Sequence, residues 1–434
     1  MYFQKDIETM PRKKLEELQL ERLKWAVGYC TQNVPYYRKR LGDAGVTAEK
    51  IKTLADIQYI PYTEKEAMRQ EYPFGLFAVP KKKILRIHAS SGTTGKPTVV
   101  GYTKEDVNNW SDCVARFCAA VGVNDEDTAQ ISFGYGLFTG ALGLHYGLEK
   151  LGCAIVPISS GNTQKQAMLL KDFEATVLVS TPSYAMYIGE VARELGYGKD
   201  DIKLRVGLFG SEGCTLELRN KIETNLGLFS TDNYGMSELM GPGISGECME
   251  RDGLHFAEDH FIAEIIDSKT LEVLPPGESG ELVLTTITKE AIPLLRYRTK
   301  DITKINTDAC KCGRTHSRMD KVCGRSDDML KIRGVNVFPS QIESVMAAID
   351  GLSPHYELVL TRKNYTDFLE VRIELNNAEL LAHYVKLQEL RDYAQSRLFT
   401  VLGVKADVTF VTPKELQRHE GKAKRIVDLR DKEG

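Results

Sequence analysis

Five short segments combine residue types that suit chemistry on a phosphorylated ligand. The densest is Ala89-Ser90-Ser91-Gly92-Thr93-Thr94-Gly95-Lys96-Pro97, with four hydroxyls in five residues flanked by two glycines and a lysine. Glycines let backbone N–H groups approach a polyphosphate, hydroxyls donate to it, and the lysine supplies charge. It is not a Walker A loop: the position of the first required glycine is Ser90, and Pro97 follows the lysine. The plain alternative is a flexible Ser/Thr/Gly turn.

The second segment is Asp232-Asn233-Tyr234-Gly235-Met236-Ser237-Glu238. An aromatic beside glycine stacks a flat base, and Ser237 and Glu238 suit a hydroxyl contact and a Mg²⁺ ion. A Tyr-Gly turn before a helix is the competing reading. Next, Gly241-Pro242-Gly243-Ile244-Ser245-Gly246 matches G-x-G-x-x-G. A dinucleotide role is rejected because no strand is expected before it, a proline lies inside it and no helix opens after it. In Arg296-Tyr297-Arg298-Thr299-Lys300-Asp301, the last carboxylate suits two ribose hydroxyls. Gly324-Arg325-Ser326-Asp327-Asp328 begins a charged, glycine-bracketed stretch that otherwise reads as a solvated linker, and Gly421-Lys422-Ala423-Lys424-Arg425 is a basic cluster of a kind that is usually only a wet surface.

The elements that must carry these segments change in texture along the chain. The first 60 residues read as helical, with apolar residues such as Leu15, Leu18 and Leu23 on a charged background. From about residue 84, short apolar runs at 154–158, 176–180 and 206–210 alternate with helix-like stretches at 163–173, 183–196 and 215–226. That is the βαβ pattern of a mainly parallel sheet. After residue 260 the runs 261–266 and 280–285 predict antiparallel strands and a barrel-like part. Beyond 326 come strands at 356–361, 368–375 and 406–411 and a charged helix over about 378–398, an α+β texture. The chain is therefore expected to be α/β: a large N-terminal domain of mainly parallel α/β sheet with a small barrel-like part over 1–325, and a small α+β domain over 326–434.

Composition bounds the function. A length of 434 residues suggests roughly two to three domains. Fifty-seven basic against 60 acidic residues leave a net charge of −3, which lacks the basic excess of a nucleic-acid or membrane-surface protein. No run approaches a membrane span, and the charged N-terminus does not resemble a signal peptide. Nine scattered cysteines point to a reducing cytoplasm rather than a disulfide framework.

In this order, the segments resemble the adenylate-forming superfamily, and specifically its phenylacetate–CoA ligase branch. The run Arg333-Gly334-Val335-Asn336-Val337-Phe338-Pro339 and the N-terminal Asn33-Val34-Pro35-Tyr36-Tyr37-Arg38 strengthen the resemblance. It implies that a carboxylate attacks the α-phosphorus of ATP and that coenzyme A then displaces AMP. It also implies roles by position. Ser90, Ser91, Gly92, Thr93, Thr94, Gly95 and Lys96 would hold phosphates, and Glu238 would hold Mg²⁺. Gly210, Ser211 and Glu212 would line the adenine side with Asn233, Gly235, Met236 and Ser237, Tyr234 would stack on the base, and Asp301 would hold the ribose. Arg325 would contact the nucleotide, Gly334 would border the thiol tunnel, and Lys422 rather than Lys424 would be the catalytic lysine, delivered by a domain hinged near Asp327. Tyr135, Phe138, Pro242 and Ile244 would form the acyl pocket, although core packing explains the two aromatics equally well. Homodimers are common among such enzymes. A carrier-protein acceptor and a non-catalytic nucleotide-binding regulator are the alternatives. The regulator is the weaker one, because Lys422, Glu238 and Asp301 are all present.

One feature stands apart from the resemblance. Cys310-Lys311-Cys312-Gly313, with Cys248 and His255 upstream, has the Cys₃His number of a closed structural Zn²⁺ site. His260, His316 and Cys323 are reserve ligands, and free surface thiols are the alternative.

Overall fold

In the computed structural model, the described residues are all but 90–96, 199, 327–329, 334, 364–365, 419–424 and 431–434. The apolar runs Val177–Ser180 and Val206–Gly210 are strands buried along their whole length, as a sheet covered on both faces requires. They lie inside a nine-stranded sheet. From one edge its order is Ile305–Asn306, Arg318–Met319, Leu254–Phe256, Gly241–Glu247, Phe229–Met236, Val206–Gly210, Val177–Ser180, Thr128–Ile131 and Ala154–Val156. The last five pair parallel, and the helices Gly140–Lys150, Thr163–Asp172, Pro182–Glu194 and Leu216–Leu226 connect them. Asn162, Thr181 and Thr215 cap three of these helices, each accepting a backbone N–H in the first turn, which sets the helix starts within a residue of the expected ones.

Pairing turns antiparallel at Gly241–Glu247, and this corrects the reading of the G-x-G-x-x-G run. The run is itself a strand, and another strand, Phe229–Met236, directly precedes it. Its glycines serve packing. A Cβ at Gly241, Gly243 or Gly246 would meet Trp110, Val114 or Phe117 of the helix Lys104–Ala120 at 2.6, 3.0 and 2.6 Å. Phosphate binding is not what these glycines are for, and no helix follows them.

A second sheet, Phe261–Ile266, Gly280–Thr286, Tyr297–Thr303 and Gly324–Arg325, is antiparallel throughout. Among the described residues its strands follow one another in that order, forming the antiparallel part expected after residue 260.

The residues beyond 329 carry a core of their own, built from Leu330, Ile342, Leu358, Val371, Ile373 and Leu398 among others. There the strands order as Asp407–Val411, Thr366–Leu375, Leu352–Lys363 and Ile426–Asp428. The expected helix over 378–398 is a 3₁₀ turn at Ala378–Ala382 followed by Tyr384–Leu402, which ends at Gly403 with φ +69°. Among the described residues, no helix is long and apolar enough to cross a membrane.

Candidate active site

The carboxyl ends of the parallel strands open onto one cleft, the usual ligand position in a doubly wound sheet. Phe133 follows Thr128–Ile131, Gly210 and Ser211 close Val206–Gly210, and Asn233, Gly235, Met236 and Ser237 come from Phe229–Met236 and its end. Phe138, Thr139, Gly140, Leu144, Gly241 and Pro242 complete the lining, and the solvent-open space measures about 350 Å³. One wall is thus apolar and partly aromatic, and the other is small and polar.

The backbone is drawn tight around the polar wall. Ser211 sits at φ +70°, a conformation costly for a residue with a side chain and typical of functional turns. The Asn233 amide donates to the Phe209 carbonyl at 2.6 Å, and Thr139 and Ser237 share a hydroxyl–hydroxyl hydrogen bond at 3.0 Å. A Cβ at Gly235 would lie 1.8 Å from the Gly241 carbonyl oxygen, which no rotamer relieves. Gly235→Ala is therefore expected to destabilise the fold by about 1–3 kcal/mol and to depress activity, as read by denaturant melts and turnover on the same samples.

The charged residues singled out in the sequence meet here. The Tyr234 hydroxyl donates to Asp301 Oδ2 at 2.6 Å, and Arg325 Nη1 donates to Asp301 Oδ1 at 2.9 Å. Asp301 and Arg325 are cross-strand partners, so sheet register fixes their pairing. Burial, reinforced by the Asp301 carboxylate, pushes the Tyr234 phenol well above its ordinary pKa. Tyr234 therefore stays a neutral donor, with its ring held in place.

Glu238 is buried, and Lys65 Nζ lies 2.9 Å from its carboxylate. The buried Lys289 donates to the Leu239 carbonyl and lies 4.2 Å from the centroid of the Tyr102 ring. Burial lowers the Lys289 pKa to about 8 against the pull of Asp106 and Glu238. Neither lysine was picked from the sequence. Lys65 stands in the ordinary helical run Lys-Glu-Ala-Met-Arg-Gln, and only the fold brings it to Glu238.

Glu212 accepts the Ser183 backbone N–H at 2.7 Å rather than lining the cleft. The Ser183 hydroxyl in turn accepts from Arg425 at 2.8 Å, and Arg425 also pairs with Glu343 at 2.8 Å and donates to the Tyr356 hydroxyl at 2.9 Å. One guanidinium thus joins the C-terminal part to the first turn of the helix Pro182–Glu194, where the Ser183 N–H is held by Glu212, the neighbour of Ser211.

The expected acyl-pocket residues divide. Phe138 and Pro242 line the cleft, and Trp110 Nε1 fixes the latter by donating to its carbonyl at 2.7 Å. Tyr135 lies off the lining, with its hydroxyl 3.1 Å from His145 Nδ1. Ile244 is fully buried in the main core beneath the strand, so its expected place in the lining is corrected. Ser90 through Lys96, Gly334, Lys422, Lys424 and the hinge at Asp327 lie outside the described residues. The hairpin Arg86–Ala89 with Val99–Tyr102 flanks the first of these segments.

Elsewhere, Cys248, His255, Cys310 and Cys312 converge, their ligand atoms all within 4.8 Å of one another. The reserve ligands stand apart. His260 pairs with Asp259 at 3.1 Å, His316 bonds the Phe256 and Ile7 carbonyls, and Cys323 is exposed.

Comparison with known proteins places this geometry. Residues 40–288 match the AMP-binding enzyme family and residues 334–430 the AMP-binding enzyme C-terminal domain. A phenylacetate–coenzyme A ligase of Thermus thermophilus is 46% identical, across 99% of this chain and 100% of that one. The chain belongs to the phenylacetate–CoA ligase branch of the adenylate-forming enzymes. The enzyme of that name from Escherichia coli is 45% identical over 98% of this chain and 97% of its own. Among solved structures, 2-hydroxyisobutyryl-CoA ligase in its postadenylation state superposes with a TM-score of 0.93 at 28% identity, covering 99% of this chain and 93% of that one. The same ligase in its thioesterification state, covering 98% and 92%, gives 0.73.

Proposed function

We propose that this ligase activates phenylacetate, or a close aryl acid, as the acyl-adenylate and passes it to coenzyme A, releasing pyrophosphate and then AMP. The observation that carries the reading is Asp301, held between the Tyr234 hydroxyl and the Arg325 guanidinium beside a cleft with Phe133 and Phe138 in its wall. A carboxylate oriented by a phenol and a guanidinium at the edge of a cleft suits the hydroxyls of a ribose. An apolar wall with aromatic side chains of this size accepts a single flat ring. Relatives at 44–46% identity named phenylacetate–coenzyme A ligase support the same acid.

Attack of one anion on another needs positive charge around the reacting oxygens. Glu238 would hold Mg²⁺, a role supported by its buried carboxylate, which already pairs with a cation, Lys65. When bound, the ion would neutralise phosphate charge. Gly210 and Ser211 would border the adenine side, and by family position Ser90 through Lys96 are assigned to the phosphates and Gly334 to the thiol. Lys422 supplies the last cation. Arg425, three residues further on, is held at Ser183, which supports a C-terminal segment docked on the large unit.

The units are 1–325 and 326–434. The much higher similarity to a postadenylation structure than to a thioesterification structure supports a C-terminal unit that is closed for adenylation here and must rotate for thioester formation. Its substrates are an aryl carboxylate, ATP and coenzyme A, all at home in the cytoplasm.

ATP–pyrophosphate exchange across a panel of aryl and alkyl acids, followed by thioester formation, tests the reading. Phenylacetate is expected to drive both. Exchange without CoA thioester would transfer the reading to a carrier-protein acceptor, and absence of exchange with every acid would leave a nucleotide-binding regulator.

A further inference from the structure

Four side chains with no part in the cleft meet at the other end of one of its strands. Gly241–Glu247 begins at the cleft, and Cys248 follows its last residue, about 20 Å away along an extended chain. His255 lies on the neighbouring strand Leu254–Phe256, and Cys310 and Cys312 lie in the loop joining Ile305–Asn306 to Arg318–Met319. We propose that Cys248, His255, Cys310 and Cys312 bind one structural Zn²⁺ ion, which locks the edge of the nine-stranded sheet to the N-terminus of the chain.

The spacing of the ligand atoms supports this. A tetrahedral zinc with ordinary Zn–S and Zn–N bonds puts sulfurs about 3.8 Å apart and sulfur about 3.5 Å from nitrogen. Cys248 Sγ and Cys310 Sγ are 3.8 Å apart, and Cys312 Sγ and His255 Nε2 are 3.4 Å apart. A disulfide would need about 2.05 Å, so these are separate thiols at the spacing of ligands on a shared ion. None of the nine cysteines is in a disulfide.

The histidine is oriented for the task. Its Nδ1 lies 3.2 Å from the His316 carbonyl, so that nitrogen carries the proton and donates. The lone pair of Nε2 is then directed at the sulfurs, the orientation second-shell carbonyls impose on zinc-bound histidines. Cys248, His255 and Cys310 are buried and Cys312 is partly buried. Four protein ligands in a closed site leave no position for a substrate, so the ion would be structural. Gly313, at φ +84°, turns the chain directly after the Cys-Lys-Cys segment, its N–H donating to the Cys310 carbonyl at 3.0 Å.

The local fold has need of such a tie. Ile305–Asn306 and Arg318–Met319 are strands of only two residues, so few ladder hydrogen bonds hold this edge. The same loop receives the N-terminus: the Tyr2 hydroxyl donates to the Cys312 carbonyl at 2.7 Å, and Arg314 pairs with Glu8 and donates to the Met1 carbonyl. Loss of the ion is therefore expected to free residues 1–8 first.

Metal analysis of the full chain, purified without a histidine tag, should give about one zinc per chain. Cobalt supplied in place of zinc should give the visible bands of a tetrahedral thiolate site. Titration with a mercurial should release the zinc together with three thiols, and hydrogen exchange over residues 1–8 should accelerate at least about tenfold on release. Cys310→Ser and Cys312→Ser should each lose the metal. Should those variants not fold, the cobalt spectrum and mercurial titration of the parent chain decide alone. Less than about 0.3 zinc per chain with no cobalt bands would overturn the proposal, as would an intact mass showing a Cys248–Cys310 disulfide.

Discussion

Replacing Lys422 with alanine is expected to cut phenylacetate-dependent ATP–pyrophosphate exchange at least about a hundredfold while changing ATP affinity less than about threefold. The asymmetry follows from where the amine acts. Negative charge concentrates on the reacting oxygens only as the carboxylate meets the α-phosphorus, so a cation placed there stabilises the transition state far more than the bound nucleotide. Chemically supplied phenylacetyl-adenylate should still be converted to the CoA thioester within about tenfold of the parent rate, because the C-terminal unit has turned away by then. Lys424→Ala is the control. A large loss there with little loss at Lys422 would move the role two residues along the chain.

Asp301→Ala is expected to raise the KM for ATP by at least about a hundredfold, since two charge-assisted hydrogen bonds to a ribose are each worth about 1.5–3 kcal/mol. The same change removes the acceptor of both the Tyr234 hydroxyl and the Arg325 guanidinium, so the melting temperature should fall as well. The two effects separate by measurement. An unchanged KM with a lowered melting temperature would make Asp301 a structural anchor for Tyr234 and not a ribose ligand. Asp301→Asn keeps the shape and should recover most of the stability, but only part of the nucleotide affinity.

What could be read from the sequence divides along physical lines. Runs such as 177–179 and 206–210 were legible because burial on both faces demands residues without charge, and 261–266 because a single acidic residue, Glu264, interrupts an otherwise apolar strand. The helices at 163, 182 and 216 were expected as helix-like stretches between the strands, and the caps Asn162, Thr181 and Thr215 account for where they start. Gly241–Glu247 was not legible as a strand. Its glycines answer to Trp110, Val114 and Phe117 on a helix more than 100 residues earlier, and no local rule encodes that distance. Tyr234, Asp301 and Arg325 could be named together from their segments, and sheet register accounts for the Asp301–Arg325 pairing. Ile244 was misplaced because plain alternation puts it on the same face as Pro242, whereas a register shift in the pairing of this strand with Phe229–Met236 falls between Pro242 and Ser245, and Ile244 is buried in the main core. Lys65 and Lys289 carried no signal, since a lone lysine acquires meaning only from the carboxylate or ring it is folded against.

The Lys65–Glu238 pair gives the cleft a built-in counter-ion. A buried carboxylate without a partner would be costly, so the folded protein does not depend on a divalent ion to keep this corner closed. In the proposed reaction, nucleotide arrival is then an exchange of cations rather than the filling of a negative hole. Glu238 would hold the Mg²⁺ that neutralises phosphate charge, and Lys65, on a flexible four-carbon stem, would then be available to the phosphates. Affinity for magnesium alone should accordingly be poor and affinity for the metal–nucleotide complex high, which biases the enzyme against loading an ion that brings no substrate.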